Sequence, residues 1–250
     1  MDRCKLAALS CAFAAALPAA SLAETLFSDT SLSLLYGSEY EVGEEDRIVA
    51  TLEHVSAHNW GDLFFFVDRL HHKSSDNAQS IKETYGEVSP RLSLSYLTGA
   101  NLSAGPIKDV YLAATYEFNA ANYEGADFSN YLYGFGLDWD VPGFNYVQTQ
   151  FYYANNELQD DDLQFTLVWG LPFSLGSNLF LFDGFIDWSS AESHASDFHF
   201  NPQLKLDVGN YFNNPGKVYV GIEYSYWRNK FGLRNFDNEN LVNALVKVHW

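Results

Sequence analysis

Apolar and polar side chains alternate along this chain from Ser31 to its last residue, in runs of about ten residues separated by turn-forming clusters. Successive side chains of a β-strand point to opposite faces of the sheet, so each run predicts one apolar and one polar face. The first run shows the pattern, because Leu32, Leu34 and Tyr36 alternate with polar or small residues such as Ser33. Runs of this length and period are the sequence signature of a transmembrane β-barrel.

Charged residues are confined to the polar rows of these runs. Arg or Lys on the lipid face costs about 2–4 kcal/mol at the bilayer midplane, so a barrel must keep its charges on the inner face. A soluble β-sandwich would also hide one apolar face, and alternation alone leaves that fold open. Eleven of the charged polar-row residues are acidic and three are basic, which predicts an inner wall that repels anions. They are Glu39, Glu41, Glu53, Asp62, Asp68, Arg91, Glu117, Asp138, Asp183, Asp187, Lys205, Asp207, Glu223 and Lys247.

The predicted fold is an all-β, antiparallel, up-and-down transmembrane β-barrel of twelve strands, an even number as in bacterial single-chain barrels. The polar connections are expected to face the exterior, and the turns rich in Pro and Gly are expected to face the periplasm together with both termini. Pro202 falls inside the tenth strand and predicts a β-bulge, since proline cannot donate a ladder hydrogen bond. The predicted strands lie near residues 31–42, 47–57, 60–70, 85–97, 107–119, 128–140, 144–154, 162–172, 178–188, 198–208, 217–228 and 240–250.

Residues 1–23 are expected to be a secretory signal peptide. Two basic residues precede an apolar, Ala-rich stretch that ends before Pro18, and small residues lie just before Glu24. A transmembrane helix would need roughly 18 apolar residues or more, and this stretch is shorter. The mature barrel is therefore expected to span residues 24–250.

Both cysteines, Cys4 and Cys11, lie in the predicted signal peptide, so the mature chain would have no thiol for a disulfide, a metal site or a covalent nucleophile. A lipoprotein anchor at Cys11 is the competing interpretation, although the apolar core before it is only about five residues long. Without residues 1–23, the 14 basic and 32 acidic residues fall to 12 and 31, a formal charge of −19. Nucleic acid is therefore not expected as a partner, and no cofactor or metal site is predicted.

Aromatic residues near the predicted strand ends belong to the apolar rows. Tyr and Trp collect where acyl chains meet head groups, so these residues predict two aromatic girdles in contact with outer-membrane lipid. Trp250 ends the last alternating strand, a position typical of the signal that the barrel assembly machinery recognises; the alternative is an ordinary last strand that ends in Trp. The predicted girdle residues are Tyr36, Tyr40, Tyr96, Trp139, Tyr153, Trp169, Trp188 and Tyr226.

Large aromatic side chains are also predicted inside the barrel, between carboxylates. Their flat faces can stack on a planar ring with little sequence demand, and carboxylates accept hydrogen bonds from hydroxyls and amines. The pattern favours a planar, hydroxylated, neutral solute; the alternative is that the aromatic side chains only fill a narrow lumen. The predicted lumen residues are Trp60, Asp62, Phe64, Phe66 and Asp68 on the third strand, Asp183, Phe185 and Asp187 on the ninth, and Tyr219, Glu223 and Trp227 on the eleventh.

Four segments spread over most of the mature chain carry a family resemblance. They read EHVSAHNWGDLFFFVD at 53–68, GFIDW at 184–188, HFNPQLKLD at 199–207 and EYSYWRNKFG at 223–232. Together they resemble the Tsx/OmpK family of nucleoside-specific channel-forming outer-membrane proteins. The resemblance implies a monomeric twelve-stranded barrel that passes nucleosides without energy input and, in some members, a docking surface for phages or colicins. The matching positions, which the resemblance places on the solute pathway, are Asp62, Phe64, Phe66, Asp68, Phe185, Asp187, Glu223, Tyr224, Trp227, Arg228 and Lys230.

Two other functions remain open. An outer-membrane hydrolase would need a Ser and a His held together by an orienting group, and His54 and Ser56 on one face of the second strand are the candidates. His54 shares an apolar row and should lie near a membrane interface. A structural or adhesive barrel would have a plugged lumen without conductance. His71, His72 and His194 are expected in solvated loops and not at a metal.

Overall fold

The computed structural model describes residues 24–72, 81–191 and 193–250. Their twelve strands form one closed antiparallel barrel, in which each strand pairs with the next and β1 pairs with β12. The predicted all-β barrel of twelve strands is confirmed, while the predicted signal peptide lies outside the described residues. The strands are β1 (Thr25–Gly37), β2 (Arg47–His58), β3 (Gly61–His72), β4 (Lys82–Ser93), β5 (Ile107–Ala121), β6 (Phe128–Trp139), β7 (Tyr146–Asn155), β8 (Asp162–Leu175), β9 (Asn178–Ser189), β10 (Asp197–Asp207), β11 (Val218–Arg228) and β12 (Glu239–His249).

The barrel is apolar outside and polar inside. Leu34 is 53% exposed and Tyr131 and Val242 are each 54% exposed, whereas Lys205 and Glu239 are 1% exposed. A soluble sandwich buries its apolar rows and exposes its charges, so this distribution excludes that fold. The outer rows form the band that contacts acyl chains.

The first strand ends earlier than predicted. β1 stops at Gly37, so Glu39 and Glu41 lie in the connection to β2 and not on an inner row. Glu39 has a positive φ of 70°, which breaks the extended backbone at this point. The predicted strand 31–42 is therefore shifted toward the N-terminus.

The fourth strand also ends earlier than predicted, because a short helix replaces the last residues of the predicted strand. β4 ends at Ser93, and α1 (Leu94–Thr98) follows. The Ser93 hydroxyl accepts a hydrogen bond from the Tyr96 N–H at 3.0 Å, and Gly99 ends the helix with φ 68°. Tyr96 therefore lies on this helix and not on an outer strand row. No helix in the described ranges is long and apolar enough to cross a membrane.

Pro202 does not form the predicted bulge, because β10 pairs with β9 in one unshifted register. The residue opposite Pro202 is Gly184, whose φ is 149°, and a Cβ there would lie 2.3 Å from the carbonyl oxygen of Asn201. Glycine permits this close approach of two backbones. The missing N–H of proline costs only the pairing with β11 between Phe200 and Gln203.

The two ends of the barrel carry different connections. The terminal end, where β1 begins and β12 ends, has the connections 59–60, 94–106, 140–145, 176–177 and 208–217. The loop end has 38–46, 122–127, 156–161, 190–196 and 229–238, together with the connection between β3 and β4. We refer to 38–46 as the first loop and to 229–238 as the last loop.

Candidate functional site

Four aromatic side chains line one inner wall of the barrel. Side-chain alternation brings Phe64 and Phe66 of β3, Tyr85 of β4 and Phe128 of β6 to the lumen. Their ring centroids follow one another at 5.9, 5.7 and 6.4 Å, which are spacings of favourable aromatic contacts. We call these four residues the first ladder.

A second aromatic row lies on β9, β10 and β11. Phe185 meets His199 edge to face at 5.0 Å, and His199 stacks on Trp227 with centroids 4.0 Å apart. Phe231, just beyond β11, contacts Trp227 at 4.8 Å. We call Phe185, His199, Trp227 and Phe231 the second ladder.

The two ladders lie on opposite walls. β3 and β9 are six positions apart in a closed ring of twelve strands, so residues on their inner rows face each other across the lumen. Both ladders extend toward the loop end, since Phe128 and Phe231 lie at or beyond strand ends there. A planar molecule that enters the lumen from the loop end therefore meets aromatic surface on two sides.

Four carboxylates lie between the ladders, and each is hydrogen-bonded by a neutral donor. Glu87 and Glu117 are direct partners across β4 and β5. Glu87 interacts electrostatically with Asp68 and Asp187, and Glu117 interacts with Asp187. We call these four residues the acidic belt. The donors are Thr51 to Asp68 at 2.6 Å, Tyr85 to Glu87 at 2.6 Å, Asn130 to Glu117 at 3.0 Å and Thr166 to Asp187 at 2.5 Å.

Ion pairs occupy the inner wall nearer the terminal end. Arg91 bridges two carboxylates, with 2.6 Å to Asp62 and 2.9 Å to Asp138. The Lys205–Asp183 pair and the Lys247–Glu53 pair close at 2.6 and 2.7 Å. A buried charge requires such a partner. In this layer the basic side chains are already paired, which leaves them unavailable to an anionic solute.

A further ion pair lies at the loop end, beside the second ladder. Lys230 of the last loop lies 2.6 Å from Glu239, and their side chains are 4% and 1% exposed. Burial lowers the pKa of Lys230 to about 8, with Glu239 opposing that shift. The Lys230 ammonium also lies 4.7 Å from the Trp227 ring centroid.

Trp60 was predicted on the inner row of the third strand, but it lies in the connection before β3 and stacks on His58 at 4.9 Å. Eight of the other predicted lumen residues divide into three groups. Phe64, Phe66, Phe185 and Trp227 belong to the ladders, Asp68 and Asp187 to the acidic belt, and Asp62 and Asp183 to the ion pairs. Glu223 accepts hydrogen bonds from Gln203 at 2.8 Å and from Asn243 at 3.0 Å. Tyr219 lies apart from both ladders, near the terminal end, where it contacts His249 at 5.5 Å.

Two residues expected on the solute pathway face the other way. Arg228 alternates with Trp227 along β11, pairs with the outward Phe198 and is exposed. Tyr224 alternates with Glu223 and contacts Phe200 on the outer surface at 6.3 Å. Period-two alternation puts both side chains outside the lumen.

Several lumen residues did not emerge from the sequence. Tyr85, Glu87 and Phe128 complete the first ladder and the acidic belt, and His199 joins Phe185 to Trp227. Alternation could have identified two of them, because Tyr85 and Glu87 lie six and four residues before the inward Arg91 and therefore on the same inner row.

The proposed Ser and His pair does not form. Nδ1 of His54 lies 2.8 Å from the hydroxyl of Thr30. Ser56 contacts Nε2 of His58 at 3.1 Å, and Nδ1 of His58 lies 3.3 Å from the Thr25 hydroxyl. The group behind His58 is thus a hydroxyl and not the carboxylate of a catalytic triad, so this geometry gives no support to a hydrolase.

The other histidines differ from their expected places. His71 and His72 lie in β3 and not in a loop. His194 is in a loop, but its side chain is 11% exposed and lies 3.3 Å from Asp162. Among the described residues, no three or more His, Cys, Asp or Glu side chains form a group that could hold a metal.

A family model matches most of the chain. Residues 30–245 match the family model described as "Nucleoside-specific channel-forming protein, Tsx". The outer membrane protein OmpK of Vibrio parahaemolyticus serotype O3:K6 is 27% identical over 188 residues, which cover 70% of this chain and 65% of OmpK. The chain therefore spans less than two thirds of that relative.

The chain is also similar to a second relative and to a solved structure. The nucleoside-specific channel-forming protein Tsx of Salmonella typhimurium is 25% identical over 207 residues, covering 71% of this chain and 72% of Tsx. The KdgM porin superposes with a TM-score of 0.49 at 10% identity, covering 87% of this chain and 98% of the porin.

Proposed function

The chain belongs to the Tsx family of nucleoside-specific channel-forming proteins, and from that membership we propose that it passes nucleosides, or similar small neutral solutes with planar rings, through the lumen of its barrel. The barrel lies in the outer membrane of a Gram-negative bacterium, the membrane after which the relative OmpK is named. Transport is passive and follows the concentration gradient. The proposed direction of the barrel puts the loop end outside and both ends of the chain in the periplasm.

One observation carries the choice of solute, and it is the pair of aromatic ladders on opposite walls. A channel that only excludes by size has no need of aromatic side chains on its inner rows. Stacking of a base on an aromatic side chain contributes about 1–3 kcal/mol and tolerates different bases. The ladders therefore support a pathway on which a purine or pyrimidine exchanges one stacking partner for the next.

The polar groups between the ladders suit a hydroxylated and uncharged solute. Carboxylates such as Asp68 and Asp187 retain acceptor capacity for the hydroxyls of a ribose and for ring amino groups. The cations Arg91, Lys205 and Lys247 are held in ion pairs, so a phosphate would find no free cationic partner there. Neutral nucleosides fit this lining better than nucleotides.

The proposal is tested with purified protein in planar lipid bilayers. We expect single-channel ion currents that adenosine and thymidine reduce, because a stacked nucleoside occupies the ion pathway. Phe66→Ala should weaken this block. Phe65→Ala is the matched control, since Phe65 is the next residue of β3 and faces lipid beside His54 at 5.1 Å.

The outcomes separate the two parts of the proposal. Absence of any conductance contradicts the channel and leaves a structural or receptor barrel. Currents that neither nucleoside reduces contradict the solute class and leave an unselective channel. If nucleosides block Phe66→Ala and Phe65→Ala equally well, the first ladder does not bind the solute.

A further inference from the structure

Tyr40 lies inside the mouth of the barrel, although its sequence position predicts a girdle residue at the lipid interface. The first loop turns inward after Gly37, and a backbone hydrogen bond of 3.2 Å from Tyr40 to Glu45 closes it. The Tyr40 hydroxyl donates to Oδ1 of Asn243 on the inner row of β12 at 2.8 Å. The first loop is thereby attached to a strand that is 203 residues away in sequence.

Two cations hold the Tyr40 ring in this position. The Arg47 guanidinium carbon lies 4.2 Å above the ring centroid, and the Lys230 ammonium lies 5.5 Å from it. Arg47 also donates to the carbonyl oxygens of Val42 and, at 3.1 Å, Glu44 within the same loop. A cation above the face of an aromatic ring is attracted by the negative charge of that face. The ring therefore joins the first loop to the last loop, which is its neighbour on the rim of the barrel because β1 pairs with β12.

Gly37 supplies the space for this arrangement. A Cβ on residue 37 would lie 1.8 Å from Oδ1 of Asn243 and 3.2 Å from Cε2 of Tyr40. Any larger residue at this position would push the hydroxyl and its acceptor apart. The glycine at the end of β1 is thus matched to the Tyr40–Asn243 contact.

The same contacts continue into the proposed solute pathway. Asn243, which accepts from Tyr40, donates to Oε1 of Glu223 at 3.0 Å. The Lys230 ammonium lies 5.5 Å from the Tyr40 ring centroid and 4.7 Å from the Trp227 ring centroid. The attached first loop therefore lies beside the second ladder at the loop end.

Building on the function proposed above, we propose that Tyr40 limits the size of solute that passes the loop end and that a solute reaches Trp227 only when the Tyr40–Asn243 contact opens. The ring is the constriction, and the hydroxyl bond keeps it closed. Loss of the ring widens the mouth, whereas loss of the hydroxyl alone lets the mouth open more often at the same width.

Three variants test this in planar bilayers and in a polymer-exclusion measurement with polyethylene glycols of increasing size. Tyr40→Ala should raise open-channel conductance about twofold and admit larger polymers, because a narrow constriction governs conductance. Tyr40→Phe should keep the conductance and increase the fraction of time open. Gly37→Ala should behave like Tyr40→Phe. Phe236→Ala is the control, since Phe236 is an aromatic of the last loop that is 47% exposed.

The test distinguishes failure of the constriction from failure of the channel. If wild type conducts and nucleosides block it, but all three variants match wild type in conductance, open time and polymer size, Tyr40 is no constriction and the channel stands. If the variants gain conductance but nucleosides block none of them, the constriction stands and the solute class fails. An effect of Phe236→Ala equal to that of Tyr40→Ala also overturns the assignment.

Discussion

The indole ring of Trp227 stacks on the imidazole of His199 with centroids 4.0 Å apart and planes within 6°. Phe185 packs edge-on against the same imidazole at an angle of 87°. These contacts fix the plane of the indole on the inner wall of β11. A rigid aromatic face binds a planar ring without the loss of side-chain freedom that a mobile residue incurs.

Replacing this indole should weaken nucleoside binding in the lumen. For Trp227→Ala we expect the adenosine concentration that halves the current to rise about tenfold, since a stacking contact contributes about 1–3 kcal/mol. Trp188→Ala is the matched control, because Trp188 is 39% exposed on the outer surface of β9. A current titration with each variant measures the shift, and equal shifts in both would exclude a stacking role for Trp227.

Charge on the solute should matter in a defined direction. Adenosine 5′-monophosphate should reduce the current at concentrations about tenfold higher than adenosine, because the lumen is acidic and its paired cations offer a phosphate no partner. Asp183→Asn removes the carboxylate that lies 2.6 Å from the Lys205 ammonium and leaves this ammonium with the neutral acceptor Gln203 at 2.9 Å. This change should narrow the difference between the two solutes. A nucleotide that binds wild type as well as adenosine does would contradict this reading of the lumen.

The close approach of β9 to β10 should depend on one glycine. Gly184→Ala puts a Cβ 2.3 Å from a backbone oxygen at a φ of 149°. We expect the free energy of unfolding to fall by about 1–3 kcal/mol or more. Gly176→Ala is the comparison, because its φ is also positive, at 64°, but nothing lies within 4 Å of the added Cβ. Heat-modifiable migration in detergent gels reports the folded fraction. Equal losses in both variants would assign the effect to φ alone.

The buried amine of Lys230 predicts a pH dependence of barrel stability. Burial lowers its pKa to about 8, against 10.5 for a free lysine. Between about pH 8 and 10.5 the unfolded chain binds a proton that the folded barrel does not, so the contribution of this residue to the stability of the folded barrel rises through this window. Below pH 8 Lys230 is protonated in both states, and its contribution no longer changes with pH.

The folded fraction in heat-modifiable detergent gels, after incubation at pH 7 to 10, checks this dependence. We expect the folded fraction at a fixed temperature to rise more above pH 8 in wild type than in Lys230→Met, which carries no titrating amine. If both proteins show the same pH profile, the amine of Lys230 is not responsible.

Alternation was sufficient to predict which side chains in the middle of a strand point into the lumen. Phe64, Phe66 and Asp68 follow from the period of two, because a slip of one residue would expose Leu63 and Val67 to the lumen. Strand ends were not predictable in this way. The first strand, for example, ends at Gly37 and not at residue 42. The family resemblance, and not alternation, placed Arg228 on the solute pathway.

The position of Tyr40 could not be derived from local sequence at all. Its acceptor, Asn243, lies on the other side of the barrel closure, and the contact depends on space left by Gly37. Likewise α1 depends on the cap at Ser93, whose hydroxyl competes with continued strand pairing. Contacts between distant loops and strands appear only once the barrel has closed.

Flux through proteoliposomes tests the central claim most directly, with adenosine compared against the smaller ribose at low equal gradients and protein-free vesicles as the baseline. A lumen that binds planar rings accelerates the solute that stacks, so we expect adenosine to cross faster than ribose despite its larger size. A simple size-limited pore passes ribose faster. Faster or equal ribose flux would contradict a nucleoside-selective channel.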